Sequence, residues 1–442
     1  MKQEKVLQNI RWIVLCKAAQ ALIQFALGML TARYLGPSDY GLMSYAASVT
    51  AAAIPLMQLG LNMILVREYV DRPEAEGEIL GTSLVMNLLS AALCIVGIAA
   101  FSCVANSGER TTILVCILYS ISLLFQAPEM VQYWFQAKLL SKYASVAMLC
   151  AYFAAAAYKA YLLLAAKDIR WFALAHGVEY AVSGCFLLIA CRRLGAQKPS
   201  FSRKTAAALF SKGKHYILAA LMTAGYGSAG GIMLKLLRGE RENGFFTASL
   251  TCLAVAQFVY YAIIDSARPV ILESKKSDPK GYETYLSRLY CVIFCLALAQ
   301  SVVFAALAGP IIRILYGAPY LPASAALRIL VWQIPFAYLG AVRNVWILAE
   351  EKYPYLWRIH GIGALTNIAL NACLIPRWGA CGAAAASVAA QIMMNFVTGF
   401  AIKELRPGNR LLLAGIRPAF VRDTLRELIK HLSGGLPWKT QR

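Results

Sequence analysis

Apolar residues occur along this chain in long blocks and not in alternation. Segments such as Ile217–Met222 and Cys291–Leu307 carry no period-two pattern, which argues against membrane strands. A helix crossing the hydrocarbon needs about 20 apolar residues. Blocks of that length predict twelve helices, at 10–31, 40–61, 81–105, 111–134, 143–165, 169–191, 214–236, 245–268, 287–309, 324–349, 353–375 and 380–403. Open sheets are excluded because unpaired backbone groups cannot be left in lipid. The expected fold class is therefore an all-α integral membrane bundle. The charged start MKQEKVLQNIRW leads into the first block with no A-x-A-like site behind it, so that block is read as a span and not as a cleaved signal.

The order of blocks and breakers gives four regions. Residues 1–191 hold a first six-helix bundle, and 192–213 form a basic linker with Gly195 and Pro199 as breakers. Residues 214–403 hold a second six-helix bundle, and 404–442 form a basic tail. Within the tail, Val421, Leu425, Leu428, Ile429 and Leu432 share one helical face and Arg or Lys the other. That pattern predicts an interfacial amphipathic helix from Arg417 to Leu432. The two bundles look like copies. Gly36-Pro-Ser-Asp-Tyr-Gly41 after the first span matches Gly239-Glu-Arg-Glu-Asn-Gly244 after the seventh, and the flanks Met43–Ala46 and Phe246–Ser249 agree as well. Six spans per copy keep both in one orientation, which predicts a pseudo-twofold axis along the membrane normal and a binding site between the copies.

Composition sharpens this picture. Hydrophobic residues make up 60% of the chain and mean hydropathy is +0.58, so no large water-soluble domain is expected. The net charge of +21 would suit a nucleic-acid partner if it were clustered. Instead Lys and Arg lie between spans, mainly on the side of the N-terminus, which predicts both termini in the cytoplasm. The twelve cysteines sit in apolar runs without CxxC spacing and read as small hydrophobes. Gly225-Tyr-Gly-Ser-Ala-Gly230 satisfies GxGxxG inside an apolar helix, where a dinucleotide site would need a preceding strand. Gly227 and Gly231 there have the spacing of a helix-packing contact. His176, His215, His360 and His431 are scattered, with no HExxH and no paired acids. No catalytic residue, cofactor or metal is expected, and no ATP site.

Candidate chemistry lies instead in polar stripes. Lys17, Gln20, Gln24, Gly28 and Thr31 follow one face of the first span; Ser44, Ser48, Pro55, Gln58 and Asn62 follow the second; Gln257, Tyr261, Asp265 and Arg268 follow the eighth. Facing lipid, the Lys alone would cost about 2.5–3.5 kcal/mol, so these faces are expected to line a polar cavity. Lys17, Lys159 and Arg343 lie deep in their spans, and Lys17, Lys159, Arg343 and Arg268 with Gln20 and Gln24 are the expected cavity residues. Lys235, Arg268, Arg328 and Arg358 lie near span ends, where long side chains reach the interface. Glu129, Glu179 and Asp265 are the acids available for ion coupling. A net-positive chamber suits an anionic headgroup such as a pyrophosphate.

The stretch Ala32-Arg33-Tyr34-Leu35-Gly36-Pro37-Ser38-Asp39-Tyr40-Gly41 resembles the RYLGPxxYG signature of polysaccharide flippases. These are the Wzx-type O-antigen and capsule transporters of the multidrug/oligosaccharidyl-lipid/polysaccharide exporter superfamily. Leu315-Tyr316-Gly317, Tyr320, Ala323 and Leu327–Leu330 resemble the family's LYGxxYxxAxxxLRIL segment, and Gly239–Gly244 its second-half loop. Arg33, Gly36, Pro37, Tyr40, Gly41, Gly239 and Gly244 carry the motif. The resemblance implies alternating access for an undecaprenyl-pyrophosphate-linked oligosaccharide in the bacterial inner membrane. It also implies membrane lipids, a polysaccharide polymerase and chain-length machinery as partners. Gly230 and Gly231 stand where relatives often place an acid. The alternatives are a membrane-embedded polymerase or ligase, which would need clustered acids on an outward loop, and an exporter of another substrate in the same superfamily.

The topology has a direct test. A reporter active only in the cytoplasm is expected to work when fused within 192–213 or after residue 410, and to be silent when fused at Gly108 or Arg377. Activity at Gly108 would overturn the span assignment from there on.

Overall fold

The structure is a computed structural model. It describes the backbone of residues 2–424 and of Arg426, with side chains from Phe25 onward except at 256–259, 261, 262, 265, 276, 277, 279, 280 and 425. Among the described residues every regular element is helical, and nine helical segments are long and apolar enough to cross a membrane. Two of them, Phe25–Asp71 and Tyr353–Ala401, run to 47 and 49 residues, and the helix of the first begins at Lys2, so each has room for two crossings of about 20 residues. A glycine breaks each one: Gly36 (φ 74°, ψ 174°) and Gly379 (φ 53°, ψ −129°). Counting these twice and adding the 38-residue helix Glu240–Ser277 gives the twelve crossings that the hydropathy predicts. Gly239 repeats the Gly36 geometry, with φ 92° and ψ 172°. A side chain is disfavoured at either φ, so the repeated motif encodes a repeated turn.

By packing, the chain forms two compact units, Met1–Thr247 and Ala248–Arg442. In the first, helix Arg203–Arg238 lies along helix Lys2–Gln58, so the division by packing falls beyond the 192–213 linker that separates the sequence repeats. One core of this unit gathers Leu61, Leu65, Ile79, Trp134, Phe135, Leu187 and Leu209, all in or near the connections 62–80, 135–142 and 192–213. A second gathers Leu42, Tyr45, Val115, Cys116, Leu123 and Ile169.

The basic linker is docked, and helix Arg203–Arg238 begins inside it. Ser200 N donates to Gly77 O at 3.0 Å, Gly77 N to Gln197 Oε1 at 3.0 Å, and Ser202 N to Thr82 Oγ1 at 3.1 Å. Ser202 Oγ then caps the helix by accepting from Thr205 N at 3.3 Å, as N-cap serines do. Lys212 reaches Glu68, which also holds Arg72. The linker approaches so closely that a Cβ on Gly81 would lie 2.4 Å from Ser200 O.

In the second unit, helix Gln333–Ala349 packs on Pro279–Ala306 and Leu356–Ile392. The start of the tail is not free: helix Arg406–Gly415 buries Asn409 and Leu412, and Asn409 Nδ2 donates to Phe396 O at 3.0 Å. Of the expected amphipathic helix, Leu425, Leu428, Ile429 and Leu432 lie outside the described residues.

The docked linker yields a prediction. Gly81→Val forces the Ser200 carbonyl away, at the about 1–3 kcal/mol typical of overpacking. Trypsin added on the side that carries the linker is expected to cut after Arg203, which is exposed next to Ser202, faster in this variant than in the native chain. Equal cleavage would show that the strap is not held by that contact.

Candidate functional site

The first unit contains a cavity of about 230 Å³. Its wall combines Tyr40 and Ser44 of helix Lys2–Gln58, Tyr119 of Arg110–Ser120, Lys159 of Ser141–Leu164, His176 of Ala175–Arg193 and Thr247 of Glu240–Ser277. Lys159 is brought there by helical periodicity. Ala144, Ala147, Ala151 and Ala155 form the buried stripe of its helix, and Lys159 is the next position on that stripe, one turn after Ala155.

Among the described residues Lys159 makes no hydrogen bond or ion pair; Glu179 and His176 are the charged or titratable groups that feel its field. His176 sits edge-on to Tyr119 (ring centroids 5.2 Å apart) and stacks on Tyr180 at 5.8 Å. Its Nδ1 lies 3.7 Å from Glu179 Oε2, too far for a hydrogen bond, and this atom is buried without a partner. Glu129, on the 3-10 turn Ala127–Val131, is close enough to interact with Glu179. Lys159, Glu179 and Glu129 are thus brought together. His176 joins them although its isolated position in sequence gives no sign of it.

One wall of the cavity is the repeat itself. Ser44 Oγ and Thr247 Oγ1, equivalent residues 203 apart, are 2.6 Å from each other. A Cβ on Gly41 would lie 1.8 Å from Glu240 O, and one on Gly244 would lie 2.0 Å from Pro37 O. Pro37 and Glu240 are again 203 apart, so each glycine receives the carbonyl of the other's partner, as across a twofold interface. Asn243 Nδ2 adds a bond of 2.8 Å to Gly41 O. The motif glycines therefore serve close approach at Gly41 and Gly244 and the turn at Gly36 and Gly239. Gly231 packs against Ser48 as helix-contact spacing predicts, whereas Gly227 meets nothing within 4 Å.

Two bases behave otherwise than their positions suggest. Lys235, expected to reach the interface, is buried and donates to Glu109 Oε2 and Asn106 Oδ1, both at 2.5 Å. Arg343, in the second unit, is 0% exposed and offers no surface to a ligand. Its Nη2 donates to Met394 O at 2.9 Å and Asn395 Oδ1 at 3.3 Å, and its Nη1 to Thr398 Oγ1 at 3.3 Å. Met393–Val397 is a π-turn, which leaves carbonyls without their usual helical donors. Arg268 is exposed. Lys17, Gln20, Gln24 and Asp265 lie in helices, their side chains outside the described ones.

The family model described as "Polysaccharide biosynthesis protein" matches residues 6–275. No curated protein matches the chain significantly. Among solved structures, an inward-facing multidrug resistance MATE family transporter of the MOP superfamily aligns with a TM-score of 0.70 at 15% identity, over 90% of this chain and 96% of that one. The lipid II flippase MurJ, in an inward closed conformation, aligns at 0.69 and 15% identity, over 97% and 93%. A Vibrio cholerae MATE transporter, VcmN in its bent form, aligns at 0.58 and 12%, over 92% and 98%.

The different settings of the two bases predict different costs on removal. Arg343→Ala leaves a void and unpaired acceptors, about 2–5 kcal/mol, and is expected to lower the thermal unfolding midpoint in detergent by several degrees. Lys159→Ala removes no bond and is expected to stay within about 0.5 kcal/mol of the native chain. A large loss for Lys159→Ala would mean that it is a structural residue.

Proposed function

Because this chain belongs to the polysaccharide biosynthesis protein family and has the fold of MOP-superfamily transporters, we propose that it flips a lipid-linked oligosaccharide across the bacterial inner membrane. The substrate is an undecaprenyl-pyrophosphate-linked glycan, the glycan of an O-antigen, capsule or exopolysaccharide. The lipid tail stays in the bilayer while the headgroup passes through a polar, cationic chamber. The observation that carries this reading is Lys159, a base on a buried helix face, unpaired among the described residues, at a cavity walled by the repeat. A cation left unpaired in an apolar bundle is costly and is retained where it meets a ligand.

Lys17, Gln20 and Gln24 extend the chamber from the first span, and Arg268 is its candidate contribution from the eighth. Arg343 is better read as the clamp of the π-turn. Glu129 and Glu179, next to Lys159, are the candidate coupling acids, with Asp265 a further one. Alternating access would come from six-helix halves rocking about the repeat axis, with both termini cytoplasmic. A polymerase and its chain-length machinery would then receive the flipped unit outside. The enzyme alternative is disfavoured by the outward acids. Glu109 is bound to Lys235, and Asp168 caps the helix Ile169–Ala173 through Ile169 N at 2.6 Å.

The test is transport by the purified protein in vesicles loaded with a fluorescent pyrophosphate-linked oligosaccharide, read as loss of protection from an external reagent. Native protein is expected to flip it and to make no longer glycan; chain extension by the pure protein would sink the proposal. Bonds from a charged donor are worth about 1.5–3 kcal/mol, so Lys159→Ala should weaken headgroup capture about ten- to a hundred-fold. Lys159→Arg should retain most of it, and Lys159→Glu least. Full transport by Lys159→Glu at normal abundance would remove Lys159 from the site.

A further inference from the structure

The repeat wall is held by a second, asymmetric contact that the motif does not contain. Lys235 lies one turn before Gly239, whose N–H closes that turn on Lys235 O at 2.9 Å. Its side chain is 3% exposed, whereas that of Glu109 is 51% exposed. Glu109 Oε2 also accepts from Thr112 Oγ1 at 2.8 Å. Asn106, which accepts from Lys235, donates in turn to Tyr45 OH at 2.9 Å, and the ammonium lies 5.2 Å from the centre of the Tyr45 ring. Tyr45 is the neighbour of Ser44. The cluster therefore ties helix Arg203–Arg238 to the Asn106–Glu109 turn and to the residue beside the Ser44–Thr247 contact.

We propose that Lys235 and Glu109 form a latch that keeps the repeat wall closed over the cavity and that must part in each transport cycle. The proposal rests on the alternating-access reading for its cycle, but not for the closure itself. The geometry of the wall supplies the reason. Contacts made through glycine and carbonyl at Gly41 and Gly244 are close but not directional, so directional bonds such as those of Ser44, Thr247 and Asn243 fix their register. If the Gly239–Gly244 turn leaves Pro37–Gly41, Lys235 on the same helix has to leave Asn106 and Glu109. It then exchanges a buried ammonium bonded to a carboxylate and an amide for an unpaired one. The carboxylate, already half exposed, can turn to water. This inequality makes the pair a switch with one anchored side and one releasable side. The hydrogen bond from Lys235 also holds the Glu109 carboxyl below the usual carboxylate range.

Hydrogen exchange followed by mass spectrometry on the full-length protein tests this without any substrate. Glu109→Gln and Lys235→Met are expected to speed exchange in 36–48 and 228–247 about tenfold or more, the fold-change that losing one charged bond allows. Segments 61–80 and 130–147 should be unchanged. The reversed pair, Glu109→Lys with Lys235→Glu, should restore slow exchange at the wall. Unchanged exchange in both single variants overturns the latch. So does acceleration throughout the first unit, or a failure of the reversed pair to restore protection in a chain whose other segments remain protected. Because the readout is closure and not flipping, a negative transport assay would not alter it, and a negative exchange result would leave the transport proposal standing.

Discussion

A charge inside an apolar helix bundle has to be paired, bound to backbone, or wetted. Insertion scales place the cost of a Lys or Arg at the helix centre near 2.5–3.5 kcal/mol, comparable to a sizeable share of a domain's net stability. Three bases within the helices of this chain meet that requirement in three ways. Lys235 takes a carboxylate and an amide. Arg343 takes the oxygens of a π-turn and its neighbouring side chains. Lys159 takes neither, and faces a cavity instead. The contrast singles out Lys159, because only this one of the three has its bonding capacity available to a ligand.

The same economy of polar groups governs the backbone. A membrane helix must satisfy its own N–H and C=O groups, so departures from helix are few and fall at defined residues. Gly36, Gly239 and Gly379 turn the chain between long segments. The π-turn at Met393–Val397 departs from the helical ladder and is answered at once by the Arg343 guanidinium. The wall made by Gly41, Gly244, Ser44 and Thr247 obeys a related rule, since backbones can approach that closely only where side chains are absent or very small. Its reciprocity follows from duplication: when two copies of one turn meet across a pseudo-twofold axis and residue 41 meets 240, residue 244 must meet 37, and residue 44 must find 247.

Much of this was legible in the chain. Block length and the bilayer's thickness required helices. The 203-residue repeat marked the two turns, and the depth of Lys159 in its span marked it as a candidate cavity base. Other features had no local signal. Lys235 looked like a base at a helix end because its partner is more than a hundred positions away, on a turn that reads only as polar. Arg343 looked like a chamber residue because its acceptors, Met394 O, Asn395 Oδ1 and Thr398 Oγ1, lie more than fifty positions along the chain. His176 read as an isolated histidine until Tyr119, Glu179 and Lys159 were assembled around it. The docking of the basic linker had no signal either, since the N–H and C=O groups of Gly77, Gln197 and Ser200 that hold it leave no trace in hydropathy.

The sequence by itself determined the class of the protein, its helices, its repeated turns and its family, because those depend on periodicity and local backbone geometry. Only the tertiary structure decided that Lys235 and Arg343 are held by distant partners, and that Lys159 faces a cavity unpaired among the described residues. Whether a buried charge is paired depends on groups brought together from distant segments, and neither spacing nor composition records that distance.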